Sequence, residues 1–256
     1  MLVKEFKAEK LLVKVYETRQ AMGQTAAEEI AAKMKEILSQ KDELNMIFAS
    51  APSQNEFLAA LAARNDIDWG RINAFHLDEY IGLDPDAPQG FGNFLKTRLF
   101  DKQTLKTVNY MDIATTNPEE ECKRYAALLE KHKPDIIILG IGENGHLAFN
   151  DPGYAFFNDP LVVKVVELEI SCRQQQVNDG CFASLDLVPT HAFTITIPPL
   201  MAGKLLYAIA PGPTKVQAIA NTVNSEIDEM RPSTILRTHD NATLYIDRDS
   251  AANIKY

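Results

Sequence analysis

Three cysteines, a single tryptophan and no long apolar run are present in these 256 residues, and each shortage excludes something. Cys122, Cys172 and Cys181 form no CxxC pair and are odd in number, which argues against a disulfide framework or a zinc knuckle and for reduced thiols. No stretch approaches the roughly eighteen apolar residues needed to cross a bilayer, so no membrane partner is expected. The first residues, Met1 to Lys7, lack the apolar core of a secretion signal, and a soluble cytoplasmic protein is expected. Basic residues are outnumbered 26 to 35, for a net charge of −9, which argues against a nucleic-acid-binding surface. Hydrophobic residues at 46% and charged ones at 24% can supply a sizeable core. No repeat, low-complexity tract or linker divides the chain, so one domain over residues 1–256 is expected.

The hydrophobic pattern alternates between strand and helix. Leu11–Tyr16 reads as a first strand. Thr25 and Glu28 have capping-box spacing ahead of a helical stripe of Ile30, Met34, Ile37 and Leu38. Residues 44–51 form a second strand. Ser53 and Glu56 repeat the capping spacing before Phe57, Leu58 and Leu61. Residues 71–76 form a third strand, 84–92 a Pro-, Gly- and Asp-rich loop placed over the site, 94–100 a short helix and 108–111 a short strand. Asn117 caps a helix with Pro118 at its first position and acids in its first turn, running to about His132. Ile136–Leu139 is four branched apolar residues, the pattern of a strand buried on both faces. Further on, residues 161–168 read as an edge or excursion strand, and the polar run 173–180 as a cleft-lining helix or a solvated surface. Residues 191–197 read as a strand ended by Pro198 and Pro199, 205–210 as a central strand, and Ala242–Asp247 as the one that closes the sheet. Strands alternating with helices predict an α/β protein, a three-layer αβα sandwich around a mainly parallel, Rossmann-like sheet.

Chemistry-bearing residues gather where these strands end. After Ile136–Leu139 the chain reads Gly140-Ile141-Gly142-Glu143-Asn144-Gly145-His146-Leu147-Ala148-Phe149-Asn150-Asp151-Pro152. Its glycines match a dinucleotide fingerprint in spacing, but Asn150 and Pro152 stand where the long helix should begin, so a catalytic loop is the better reading. Asp78 and Glu79 leave the third strand among Leu77, Tyr80, Ile81 and Leu83, surroundings that can hold a general base at a raised pKa. The turn at Ser53-Gln54 and the turn Pro211-Gly212-Pro213-Thr214-Lys215 each open a helix after a strand, an arrangement suited to a phosphate. Lys215 is unfavourable with its helix dipole unless an anion joins it. His76, His132, His191 and His239 read as structural or exposed. His146 with Asp151 and Asp78 has no second histidine, so no metal site is expected.

The 77–83 and 140–152 segments together resemble the glucosamine-6-phosphate deaminase (isomerase) family, and the similarity extends in order to Val188-Pro189 and the turn at Lys215. It implies conversion of glucosamine 6-phosphate to fructose 6-phosphate and ammonia, with neither metal nor organic cofactor. It also implies roles. Asp78 moves a proton between C2 and C1 of the open-chain sugar, and Glu79 beside it is expected to bind the substrate. His146 handles the ring-oxygen proton, oriented by Asp151, with Asn144 where the family often has Asp and Glu143 as a neighbouring charge. Ser53, Gln54 and Lys215 bind phosphate, and Arg173 is the nearest candidate for the family's phosphate-binding arginine. The expected partner is a small sugar phosphate. Family members range from monomers to hexamers, so a homo-oligomer is compatible with the resemblance.

Two other readings compete. A 6-phosphogluconolactonase-like hydrolase shares the Gly-x-Gly-x-x-Gly-His loop but gives no reason for the Asp78-Glu79 pair. A non-catalytic sugar-phosphate sensor is suggested by Asn144 alone, and neither terminus offers a basic DNA-binding module.

Overall fold

The computed structural model describes residues 1–178 and 180–255; Asp179, in the polar 173–180 run, lies outside them. Eleven strands are described: β1 (Leu2–Ala8), β2 (Leu11–Tyr16), β3 (Leu44–Phe48), β4 (Ile72–His76), β5 (Asp78–Tyr80), β6 (Thr107–Asn109), β7 (Ile136–Leu139), β8 (Val163–Glu167), β9 (His191–Ile195), β10 (Leu205–Ile209) and β11 (Ala242–Asp247). The helices are α1 (Arg19–Leu38), α2 (Asn55–Ala62), α3 (Phe91–Arg98), α4 (Pro118–Lys131), α5 (Ile170–Asn178), α6 (Ile197–Met201) and α7 (Val216–Asn224). The large sheet has the order β1-β2-β11-β10-β7-β3-β4-β6. Every neighbouring pair in it is parallel except β1–β2.

The αβα sandwich follows from side-chain alternation. In β7, Ile136 and Ile138 face a core built with α1 and α2, while Ile137 and Leu139 face one built with α4 and α7. All four are fully buried. Burying each such side chain stabilises by roughly 1.5–3 kcal/mol, so this strand anchors both layers. The second sheet, β5-β9-β8, is small and antiparallel. The chain passes into it from β4 through one residue, Leu77, whose carbonyl accepts from the Ile195 N–H at 2.9 Å.

Several boundaries differ from the sequence expectation. Helix α1 begins six residues before Thr25; its cap is Thr18, whose hydroxyl accepts from the Ala21 N–H at 3.2 Å. Met22 and Ala26 extend the buried stripe backward, so the Thr25/Glu28 spacing falls inside the helix. The Ser53/Glu56 box does not form either. Pro52 opens a 3-10 turn, Pro52–Gln54, and Glu56 is drawn away by Arg19. β3 stops at Phe48, α3 starts at Phe91, and Pro198 and Pro199 lie in α6. Ala242–Asp247 does not close the sheet but lies between β10 and β2. Strand β1 was not foreseen, because LVKEFKA is charged and largely exposed. The cap at Asn117 is as expected, its side chain accepting from the Glu120 N–H.

Progress along the sheet reverses between β3 and β7: β3, β4 and β6 step outward, and the chain then returns to β7, β10 and β11. Ligands of open α/β sheets bind at such a switch point, beyond the carboxyl ends of the strands. Among the described residues no helix is long and apolar enough to cross a membrane.

Candidate active site

A cavity of about 260 Å³ opens at that reversal. Its walls are the segments that leave the strands: 49–53 after β3, Leu77 and Asp78 after β4, 140–142 with His146 after β7, and 211–215 after β10. Gln175 and Gln176 of α5, Arg19 of α1, and Phe91, Ala148 and Phe149 complete it. The polar run at 173–178 is therefore a helix that lines the cleft, one of the two forms expected for it.

Asp78 reaches this wall on a rigid mount. His76 is fully buried, with its backbone N–H donating to the Tyr125 hydroxyl at 3.0 Å. The Met111 N–H donates to His76 Nε2 at 3.0 Å, so the ring proton sits on Nδ1 and donates to the Asp78 carbonyl at 2.8 Å. Burial lowers the His76 pKa to about 4, which keeps this strut neutral. The Asp78 carboxyl is 7% exposed. Burial first, then the charges of Glu79 and Asp151, push its pKa well above the usual carboxylate range. A carboxyl so placed is a stronger base once ionised than an exposed one.

The neighbouring acid does something else. Successive residues of a strand point to opposite faces, so Glu79 turns away from the cavity. Its carboxylate accepts from the N–H groups of Tyr80, Phe91 and Gly92 at 2.9, 2.9 and 2.7 Å, sealing the start of α3. Burial raises its pKa to about 7 against these three donors. Glu79 is thus not in the cavity wall, contrary to its expected substrate-binding place.

His146 is set by Gly142. A Cβ on Gly142 would lie 2.2–2.4 Å from three atoms of the imidazole, so the ring rests on that glycine's bare Cα. Gly145, with φ of +89°, makes the turn between them. His146 Nδ1 lies 2.8 Å from Asn144 Oδ1 and 3.0 Å from Asp151 Oδ1. The Asn144 amide has one orientation that satisfies its partners: Oδ1 accepts from the His146 N–H at 3.0 Å, and Nδ2 donates to Asp151 Oδ1 at 2.7 Å. Both groups facing Nδ1 are therefore acceptors, Nδ1 carries the proton, and Nε2 is left for the cavity. Burial acts to raise the Asp151 pKa, but the His146 charge and hydrogen bonds from His146, Asn144 and Cys172 outweigh it and hold the group below its usual value. An aspartate in place of Asn144 would set a second carboxylate 2.7 Å from Asp151. The amide turns that contact into a donor–acceptor pair.

The loop is tied down from behind. Asn150 Nδ2 donates to the Leu147 and Ile195 carbonyls, both at 2.8 Å, and the Phe149 N–H donates to Thr194 Oγ1. Asn144 and Asp151 thus lie behind His146, outside the cavity lining. Cys172, fully enclosed at 2% exposure, joins His146 and Asp151 in a cluster whose donor atoms lie within 4.8 Å of one another. No local pattern announces this contact, because Cys172 is carried on α5, far along the chain. Burial and the charges of Asp151 and Asp78 raise its pKa, which keeps it a thiol beside Asp151.

Of the expected phosphate ligands, Ser53 and Lys215 line the cavity. Lys215 is 7% exposed at the end of the 3-10 turn that opens α7. Gly212 makes the turn at φ of +97°, and its N–H donates to Asp247 Oδ1 at 3.0 Å. Three residues fall elsewhere. Gln54 is fully buried beneath the wall, its Nε2 donating to the Ile209 carbonyl at 3.0 Å and to Ser53 Oγ at 3.1 Å, which ties the turn after β3 to β10. Arg173 Nη2 donates to the Leu185 and Val188 carbonyls at 2.7 and 2.8 Å, which holds that loop closed, and the residue lies outside the cavity lining. Glu143 is held through its backbone N–H by Gln175 Oε1, and its side chain lies outside the lining. The sequence reading also passed over Ser50, whose Oγ is buried with no hydrogen-bond partner among the described residues, and Arg19.

The family model of glucosamine-6-phosphate isomerases/6-phosphogluconolactonase matches residues 17–167. A glucosamine-6-phosphate deaminase of Bacillus cereus is 35% identical over 240 residues, 94% of this chain and 87% of the relative. One from Listeria innocua is 34% identical over 210 residues, 82% and 88% of the two chains. A solved monomeric glucosamine-6-phosphate deaminase superposes with a TM-score of 0.85 at 28% identity, covering 94% of this chain and 99% of its own. A 6-phosphogluconolactonase from Thermotoga maritima has a TM-score of 0.75 at 19% identity, which is a likeness of fold.

Proposed function

The chain belongs to the glucosamine-6-phosphate isomerase/6-phosphogluconolactonase family, and we propose on that footing that it converts an amino sugar phosphate, glucosamine 6-phosphate foremost, to fructose 6-phosphate and ammonia. The observation that carries this reading is the pairing, in one cavity, of a buried carboxyl, Asp78, with the Nε2 of a His146 whose Nδ1–H is fixed. An aldose–ketose isomerisation needs these two functions. One group passes a proton to the ring oxygen as the pyranose opens, and a second moves a proton between adjacent carbons.

In this account His146 Nε2 takes the proton of the C1 hydroxyl and returns it to the ring oxygen as the pyranose opens, while Asn144 and Asp151 fix the imidazole through Nδ1. Asp78 takes the proton from C2 of the open-chain aldehyde, whose amino group is protonated; the electron pair forms the C1–C2 double bond of an enolamine as the carbonyl π bond opens, and the C1 oxygen takes a proton from the ammonium. Return of the proton to C1 leaves an iminium at C2. Water adds there, the C2–N bond breaks, and ammonia leaves, so one water is consumed per turnover. Lys215 and the starts of α2 and α7 supply positive potential for the phosphate. The whole chain acts as one domain in this reading, and its reaction is cytoplasmic.

Glucosamine 6-phosphate carrying deuterium at C2 provides the test. Every turnover should remove that deuterium from C2, with part of it recovered at C1 of the ketose and the remainder in solvent, as read by proton NMR. Deuterium carried wholly to C1, with none released to solvent, is the mark of a hydride shift and would remove Asp78 from its role.

A further inference from the structure

Arg19 opens α1 at the cavity rim, and its position is set from three sides. Helices α1 and α2 touch at Gly23, where a Cβ would come within 2.6 Å of Glu56 Cβ and 2.8 Å of the Phe57 N. That close approach brings the residue one turn earlier, Arg19, over the start of α2. Its Nε and Nη2 donate to the two oxygens of Glu56 at 2.7 and 2.9 Å, and Nη2 also donates to the Pro52 carbonyl at 3.1 Å. Nη1 has no hydrogen-bond partner among the described residues. A guanidinium is planar with donors in a fixed fork, so holding one edge fixes the direction of the other.

Electrostatics point the same way. A cation in the first turn of a helix opposes the helix dipole, so Arg19 occupies its place only with anions at hand. Glu56 supplies one negative charge. The wall that Arg19 shares with Pro52 and Ser53 also holds the buried, unpartnered Ser50 hydroxyl, and Lys215 lies in the same cavity. Arg173 lies outside the lining, and among the described residues Arg19 is the arginine in the cavity wall.

We infer that Arg19, held by Glu56 and the Pro52 carbonyl, presents Nη1 to the phosphate of the bound substrate. The inference rests on the sugar-phosphate reading above for the source of the anion, and its chemistry is that of a phosphomonoester dianion gripped by an arginine on α1 and a lysine at α7. Glu56 is then a positioning residue, which aims the guanidinium without touching the ligand.

The experiment uses the full chain with inorganic phosphate as the calorimetric ligand and glucosamine 6-phosphate as the substrate. Arg19→Ala should weaken phosphate binding at least tenfold and raise KM by a similar factor, with kcat within about threefold of wild type. Added guanidinium should recover part of that KM, which a structural role for Arg19 would not allow. Glu56→Gln should give a smaller rise in KM, about threefold, and keep kcat. Phosphate affinity unchanged by Arg19→Ala would overturn the assignment, as would a fall in kcat at constant KM. Because phosphate binding is read without turnover, a wild-type protein that binds phosphate through Arg19 yet releases no ammonia would uphold the inference and reject the deaminase reading instead.

Discussion

Asp78→Asn is expected to lower kcat about 10³-fold, within the range that a positioned general base contributes, while substrate affinity changes by no more than a few-fold. Asparagine preserves the shape of the side chain and its backbone support from His76, so only the proton acceptor is lost. The pH profile should change with it. The wild-type pKa lies above the ordinary carboxylate range through burial and the Glu79 and Asp151 charges. Wild-type kcat/KM should therefore climb with pH as Asp78 ionises, and the variant's residual rate should lack that limb. Stability moves in the opposite sense. A carboxyl whose folded pKa is raised disfavours the folded state as pH rises from its unfolded value, roughly 4, toward its folded one. At neutral pH Asp78→Asn should melt no lower than wild type. Thermal unfolding alongside steady-state kinetics reads both effects.

Gly142→Ala should cost about 10²-fold in kcat, the scale of a catalytic group displaced by about 1 Å. The added methyl would occupy the space of the His146 ring, at 2.2–2.4 Å from its atoms. The imidazole then has to swing out, and its Nδ1 contacts to Asn144 and Asp151 break. Overpacking of this kind also destabilises by about 1–3 kcal/mol. If kinetics and a His146 ring-proton NMR shift both remained at wild-type values, the ring would not lie where this account needs it.

The central strands were legible in the sequence because they are apolar runs buried in the sheet and followed by turns; the charged, exposed edge strand β1 was not. Ile136–Leu139 is the clearest case, and the loop that follows it carries His146, Asn144 and Asp151 into one cluster, as their close spacing suggested. Adjacent acids were harder to read. Asp78 and Glu79 look like a functional pair, but a three-residue strand sends them to opposite sides, and only the first meets the cavity. The Thr25/Glu28 and Ser53/Glu56 spacings show why local capping patterns fail. One falls within a helix extended by its buried stripe, and the other loses its glutamate to a residue 37 positions away. Arg19 and Cys172 could not be found by local pattern at all. They reach the site through α1 and α5, whose placement depends on packing such as the Gly23 contact. Arg173 had the right charge but holds carbonyls of its own loop, outside the cavity lining.

The most direct test of the central claim is the release of products from glucosamine 6-phosphate by the purified protein. Ammonia and fructose 6-phosphate should appear in equal amounts, with Asn144 in its natural place. Hydrolysis of a 6-phosphogluconolactone with no ammonia from the amino sugar phosphate would contradict that claim, and would assign the cavity to the other branch of the family.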